Sequence, residues 1–214
     1  LNEERSLPHV LAALPQVDQV VVVDNGSSDR TAELARDAGA TVRFQPRRGY
    51  GSAVALGIAH LRGRPPDVVV ILDADFSDDP AEMPRLLEPI ERDEADLVIG
   101  SRTLGRLEPG ALLPQQRFGN WLATALIARR YGHRFTDLGP FRAIRYPALL
   151  ALELTDPDFG WNVEMQLRAL QQGLRIQEVP VSYRKRIGVS KISGTVMGTA
   201  RAGVKILQTV YRLG

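Results

Sequence analysis

Cysteine is absent from the 214 residues. That removes disulfide frameworks, thiolate-held zinc and thiol nucleophiles from consideration. Histidine is scarce, and His9, His60 and His133 are too scattered to form a ligand set. A metal used by this chain would be a hard ion held by oxygen, which favours Mg²⁺ or Mn²⁺. No apolar run reaches the roughly 18 residues of a bilayer-spanning helix, and no leader-like segment is evident. Charge of one sign is not in excess either. The formal net charge is +2, which gives no reason to expect broad affinity for nucleic acid. Lysine is nearly missing: Lys185, Lys191 and Lys205 are the only ones among 27 basic side chains. The arginines offer planar forks suited to phosphate oxygens, although codon usage yields the same bias. With 44% hydrophobic and 24% charged residues, the composition is that of one soluble globular domain able to bury a core without staples.

Four short apolar runs are present: Gln19 to Asp24, Ala40 to Gln45, Asp67 to Asp73 and Asp96 to Ser101. Runs of this kind predict strands buried on both faces, as in a parallel sheet. Helix-like segments lie between them at Arg30 to Ala38, Tyr50 to Leu61 and Pro80 to Arg92, the last with proline at its first turn. The alternation predicts an α/β, doubly wound, mostly parallel sheet. After Arg102 the rhythm changes. A Gly/Pro-containing loop leads to helices over Gln115 to Tyr131 and Trp161 to Gln171, a strand from Leu174 to Arg184, and an amphipathic segment from Thr195 to Leu213. No linker or repeat divides the chain, so residues 1–214 read as one domain, with a 1–102 half and a 103–214 half. The opening Leu1-Asn2-Glu3-Glu4 reads as a loop entering a helix, with a first strand expected before it.

Ligands of such sheets bind beyond the carboxyl ends of the strands, and two strands end there in aspartate, Asp24 and Asp73. Asp73-Ala74-Asp75 is the strongest signal. Residues two apart in extended chain point the same way, and two neighbouring carboxylates repel unless a cation or a shared proton relieves them. A divalent ion bridging to a diphosphate would do so. Around Asp24, Asn25 and Gly26, glycine permits a tight turn and Ser28 or Asp29 can cap the next helix. That leaves the Asp24 carboxylate free for a base or ribose. Arg47 to Ala53 is glycine-rich before a helix, so Gly49 and Gly51 could let backbone approach a phosphate, though without a full dinucleotide fingerprint.

The order of these motifs, together with Leu1 to Glu4, resembles family 2 glycosyltransferases of the GT-A fold. Asp137 to Ile144 (D-L-G-P-F-R-A-I), Trp161 to Met165 and Val179 to Thr195 are similar to segments of polyprenyl- or dolichyl-phosphate hexose synthases. The resemblance implies a Rossmann-like sheet with an acceptor-side C-terminal half. It also implies that Asn2, Glu3, Asp24, Asn25 and Gly26 lie on the nucleoside side. Asp73 would hold ribose or metal, with Ala74 between it and the metal ligand Asp75. Asp137, Arg142 and the Arg184, Arg186 and Lys191 cluster would serve acceptor and diphosphate. Asn25 stands where the family often has a second aspartate, and Pro140 near a usual glycine.

Arg184 and Arg186 share one side of an extended segment with Lys185 on the other, the counter-charge that two anionic groups would need. Glu164 is a candidate general base for a hydroxyl acceptor. The expected activity is inverting, metal-dependent transfer of a hexose from a nucleoside diphosphate sugar to a polyprenyl phosphate, the inversion resting on the resemblance. Transfer to a hydroxyl acceptor, with Glu164 or Asp137 as base, and a silent sugar-nucleotide-binding module are the alternatives. Val196, Ala200, Val204, Leu207 and Tyr211 fall on one helical face beside Arg201, Lys205 and Arg212. That pattern suits either core packing or an anionic membrane surface, as does the Trp121-Leu122 to Leu126-Ile127 stretch. A cytoplasmic location, with peripheral contact at the inner face of the cell membrane, is the expectation.

Overall fold

The computed structural model describes residues 1–188 and 208–212. Strand β1 (Val21–Asp24) pairs in parallel with β2 (Thr41–Phe44). A second sheet contains β3 (Val68–Ile71), β4 (Leu97–Ser101), β5 (Arg142–Arg145) and β6 (Ile176–Pro180), in the order β3-β5-β4-β6. β4 and β6 run parallel, whereas β5 is antiparallel to both β3 and β4. β3, β4 and β6 therefore share one direction, and β5 alone is reversed. The α/β sheet expected from the valine-rich runs is present, and β5 lies between β3 and β4. Strand β5 has only two apolar residues, enclosed between arginines (R-A-I-R), and that hides it from a search for apolar runs.

The helices are α1 (Leu7–Ala13), α2 (Thr31–Asp37), α3 (Tyr50–Leu61), α4 (Met83–Glu91), α5 (Pro114–Tyr131), α6 (Tyr146–Ala151) and α7 (Trp161–Gln171). The segment expected as one helix from Pro80 opens with a 3-10 turn, Pro80–Glu82, in which the Asp79 side chain accepts from the Ala81 N–H. Helix α2 starts at Thr31, and Asp29 rather than Ser28 accepts its first N–H.

Side chains alternate across the central strands as the pleat requires. Leu97, Ile99 and Ile144 join Ile127 of α5 and Trp161, Val163, Met165 and Leu167 of α7 in the largest core. Val98 and Ala143 point the other way, onto Met83, Leu86 and Ile90 of α4. All five residues of β4 are buried, matching a strand covered on both faces. A small third core joins Leu7, Ala35 and Ala40, with Ala74 packed against it.

Of the C-terminal amphipathic segment, residues 208–212 are helical. Val210 is buried in the main core, whereas Tyr211, on the expected apolar face, is 85% exposed. Lys191, Val196, Ala200, Arg201, Val204, Lys205 and Leu207 lie outside the described residues.

Candidate active site

The site is organised by the turn that follows β3. Phe76 takes a left-handed backbone, φ 61°, a conformation uncommon for a bulky side chain. This folds the chain back so that the backbone N–H and the hydroxyl of Ser77 both donate to Asp75 Oδ1. The other Asp75 oxygen meets Arg186 at 3.2 Å, and Arg186 also reaches Glu3 at 2.9 Å. One guanidinium thus ties the N-terminal loop, the β3 turn and the segment after β6 together. Arg184 lies alongside, paired with Asp79 at 2.8 Å and stacked 4.3 Å over the Phe76 ring.

Asp73 is at the centre of this cluster. Burial and the neighbouring Asp75 push its carboxyl up to about 7, against the pull of Arg186 and Arg102. Burial cannot be relieved without solvent, but carboxylate repulsion can be relieved by a cation. Among the described residues, no three histidine, aspartate or glutamate side chains converge as a ready-made metal site. The donor set fits a hard divalent ion that takes two protein carboxylates and fills its remaining positions with ligand oxygens and water.

Sequence reasoning missed a third acid. Asp78 is 1% exposed, and neither of its carboxylate oxygens has a hydrogen-bond partner among the described residues. Burial, with Asp73 adding repulsion, drives its ionisation well above the usual carboxylate range. The D-D-P sequence before a helix looks like capping, and Asp79 does cap, so nothing local distinguishes Asp78.

Arg102 was also missed. It donates from Nε and a terminal nitrogen to the two oxygens of Asp137, 2.7 Å each, and its backbone N–H adds a third bond at 2.8 Å. The guanidinium lies 5.0 Å over the Tyr183 ring. Although burial opposes its charge, Asp137 holds it firmly protonated. The partners are far apart in sequence, and no periodicity signals such a pair.

The remaining candidates divide between the site and its scaffold. Asp24 is 7% exposed at the tip of β1, where its carboxylate receives the Ser27 N–H. Gly26 has φ 89°, the left-handed turn that glycine serves. Asn2 accepts from the Ser28 N–H at 2.8 Å. Asn25 donates to the carbonyls of Gln45 and Arg47 and accepts from the Gly49 N–H. Both asparagines are turn staples rather than free recognition groups. A second aspartate at position 25 would lack the amide donor.

Gly49 and Gly51 serve packing. A Cβ on either would stand 2.3 Å from the Pro157 carbonyl or 2.0 Å from that of Asp156, so glycine is required by the 156–157 loop whether or not a phosphate comes near.

Two catalytic candidates need correction. Glu164 is fully buried on α7 and accepts from the Thr155 N–H and hydroxyl, the Asp156 N–H and Arg168. It anchors the loop before α7 and has no free lone pair with which to activate a hydroxyl. Arg142, also fully buried, donates to the carbonyls of Asn162 and Gly139. Burial lowers it to about 10, and it braces β5 against α7. Asp137, the third, is 0% exposed and engaged by Arg102.

Two acids follow β3 in an α/β sheet, and arginines brace the turn that carries them. The family model "Glycosyl transferase family 2" matches residues 1–152, and the chain belongs to that family; it is a glycosyltransferase. It is 40% identical over 201 residues to an uncharacterised glycosyltransferase of Mycobacterium tuberculosis, covering 93% of this chain and 89% of the relative. It is 34% identical to an undecaprenyl-phosphate mannosyltransferase of Micrococcus luteus, covering 95% and 88%. Among solved structures, glucosyl-3-phosphoglycerate synthase of Mycobacterium tuberculosis, in complex with Mn²⁺, UDP and glucosyl-3-phosphoglycerate, aligns with a TM-score of 0.78 at 22% identity. That alignment covers 100% of this chain and 76% of the synthase, and it shows a shared GT-A fold.

Proposed function

We propose that this glycosyltransferase moves a hexose, with inversion, from a nucleoside diphosphate sugar to a polyprenyl phosphate. The observation that carries the reading is the acid pair at the β3 tip, Asp73 pushed up to about 7 by burial and by Asp75. Such a pair suits a divalent ion, Mg²⁺ or Mn²⁺, which Asp73 and Asp75 would hold and which would stabilise negative charge gathering on the leaving group. Support comes from the related synthase bound to Mn²⁺ and UDP, and from the names of two relatives. These are the Micrococcus mannosyltransferase and a dolichyl-phosphate hexose transferase of Haloferax volcanii, 34% identical over 93% of this chain.

Asp24 and Glu3 would border the nucleoside, with Asn2, Asn25 and Gly26 shaping that wall. Arg186 and Arg184 would face the diphosphate, and Lys191 belongs to the same proposed cluster. In the transfer, an acceptor phosphate oxygen forms a bond to the anomeric carbon as the bond to the diphosphate oxygen breaks, and the electron pair leaves with the nucleoside diphosphate. No proton has to be removed from an acceptor already anionic at neutral pH. Hydroxyl transfer does require a base, and both candidates, Glu164 and Asp137, are engaged elsewhere. That favours the phosphate acceptor over the hydroxyl one.

Radiolabelled donors offered with polyprenyl phosphate or with small hydroxyl acceptors test the reading. Label should enter the lipid fraction, in a metal-dependent manner. Transfer to sugars alone would refute the lipid acceptor.

A further inference from the structure

Helix α5 (Pro114–Tyr131) presents an unusual outer face. Phe118 and Trp121 are each 61% exposed, with ring centroids 5.8 Å apart. A soluble surface rarely leaves two adjacent large aromatics in water without a use for them. They continue to Ala125 and Arg129 along one stripe of the helix, at i+3 and i+4 steps, and both of those residues are exposed. Between Glu108 and Asp137 there is no acidic side chain, whereas Arg117, Arg129, Arg130 and Arg134 are all present and exposed. An aromatic stripe flanked only by cations matches the chemistry of an anionic interface with an apolar layer beneath it.

The same face borders a groove of about 940 Å³ whose lining includes Trp121, Ala125, Arg129, Thr103 and Thr136. Thr103 and Thr136 adjoin Arg102 and Asp137 in the chain, and Arg102 in turn acts electrostatically on Asp73 and Asp78. The groove thereby reaches the chain neighbours of the Arg102–Asp137 pair.

We propose that α5 lies in the plane of an anionic phospholipid bilayer, with Phe118 and Trp121 inserted below the headgroups and Arg117, Arg129 and Arg134 on the lipid phosphates. This orients the groove toward the membrane, so that a lipid-borne phosphate reaches the site without the chain itself crossing the bilayer. Among the described residues, no helix is long and apolar enough to cross a membrane. The proposal extends the lipid-acceptor reading but is tested by binding alone, so either can fail without the other.

The chain has two tryptophans, and the second, Trp161, is 1% exposed. Emission changes on vesicle addition therefore report Trp121. With vesicles of phosphatidylcholine mixed with phosphatidylglycerol, Trp121 emission should shift to the blue and be quenched by lipids brominated near the headgroup. Phosphatidylcholine alone should do neither. In sedimentation with the mixed vesicles, replacing Phe118 and Trp121 by alanine should weaken partition at least roughly tenfold. Each of R117Q, R129Q and R134Q should weaken it about fivefold at low salt, with the difference shrinking as salt is added. Thermal stabilisation by donor with Mn²⁺, unchanged in these variants, would show that they fold. An unshifted Trp121 with the anionic vesicles, equal partition onto neutral vesicles, or α5 variants that bind as well as the parent would each overturn the proposal. So would self-association through α5 without vesicle binding.

Discussion

Individual carboxylates in this site have different protonation needs, and substitution distinguishes them. Asp75 is ordered by Ser77 and Arg186, and in the proposed site it would supply, with Asp73, the charge that a divalent ion requires. Asp75→Asn should keep the fold, lose metal-dependent donor binding and lower kcat/KM by about 10²–10³, the scale seen when a charge-stabilising group is removed. Unaltered Mn²⁺-dependent thermal stabilisation in this variant would refute the assignment. Asp78 differs because its oxygens are buried without partners and burial favours its neutral form. An amide resembles a protonated carboxyl in size and polarity, so Asp78→Asn should change stability by less than about 1 kcal/mol. Loss of several kcal/mol in chemical denaturation would mean that Asp78 is ionised. At the same scale, Glu164→Gln should lower the melting temperature, because its acceptor set includes Arg168 and two backbone N–H groups. Transfer rate per folded molecule should stay within about threefold; a collapse in kcat with the melting temperature unchanged would restore Glu164 as a base.

At the scale of elements, the Arg102–Asp137 pair joins the end of β4 to the segment entering β5. Asp137 is fully buried and Arg102 13% exposed by side chain. Removing one partner leaves an uncompensated charge, which costs about 3–5 kcal/mol, whereas replacing both with apolar groups is far milder. Asp137→Leu should therefore be strongly destabilised and Arg102→Met/Asp137→Leu partly recovered, a coupling readable in a double-mutant cycle. Additive losses would show that the two act separately.

This pair also marks the limit of what the sequence discloses. Tyr50–Leu61 and Trp161–Gln171 are legible to the residue because helix periodicity is a local signal. The acid pair is legible because β3 is a plain valine run ending in D-A-D. Strand β5 is not, since it earns its place only by pairing with β3 and β4, partners distant in the chain. Glu164 looked catalytic because its residue type can serve as a base, and Arg142 because the family resemblance implied an acceptor role. Their burial is a property of the packed α7, which carries seven buried residues, Glu164 included.

The molecule as a whole should register the acid cluster in its stability. In the folded chain Asp73 titrates near 7, against a reference value near 3.9 when unfolded. The folded state consequently holds a proton more tightly than the unfolded one. Its contribution is fully present below about pH 4 and is lost as pH rises through 7. Asp93 and Asp96, held low by Arg175, act in the opposite sense at lower pH, so the difference between the parent chain and Asp73→Asn isolates the site. Without metal, the variant should be the more stable at pH 8, and the gap should close as the pH is lowered toward 4. Adding Mn²⁺ with a nucleoside diphosphate at pH 8 should reverse the order, since a ligand that binds only the native state stabilises it by mass action and the variant lacks one of its two carboxylates. A gap independent of pH would mean that Asp73 ionises normally in the folded chain, and the coupling between these two acids, on which the metal assignment rests, would then have no thermodynamic expression.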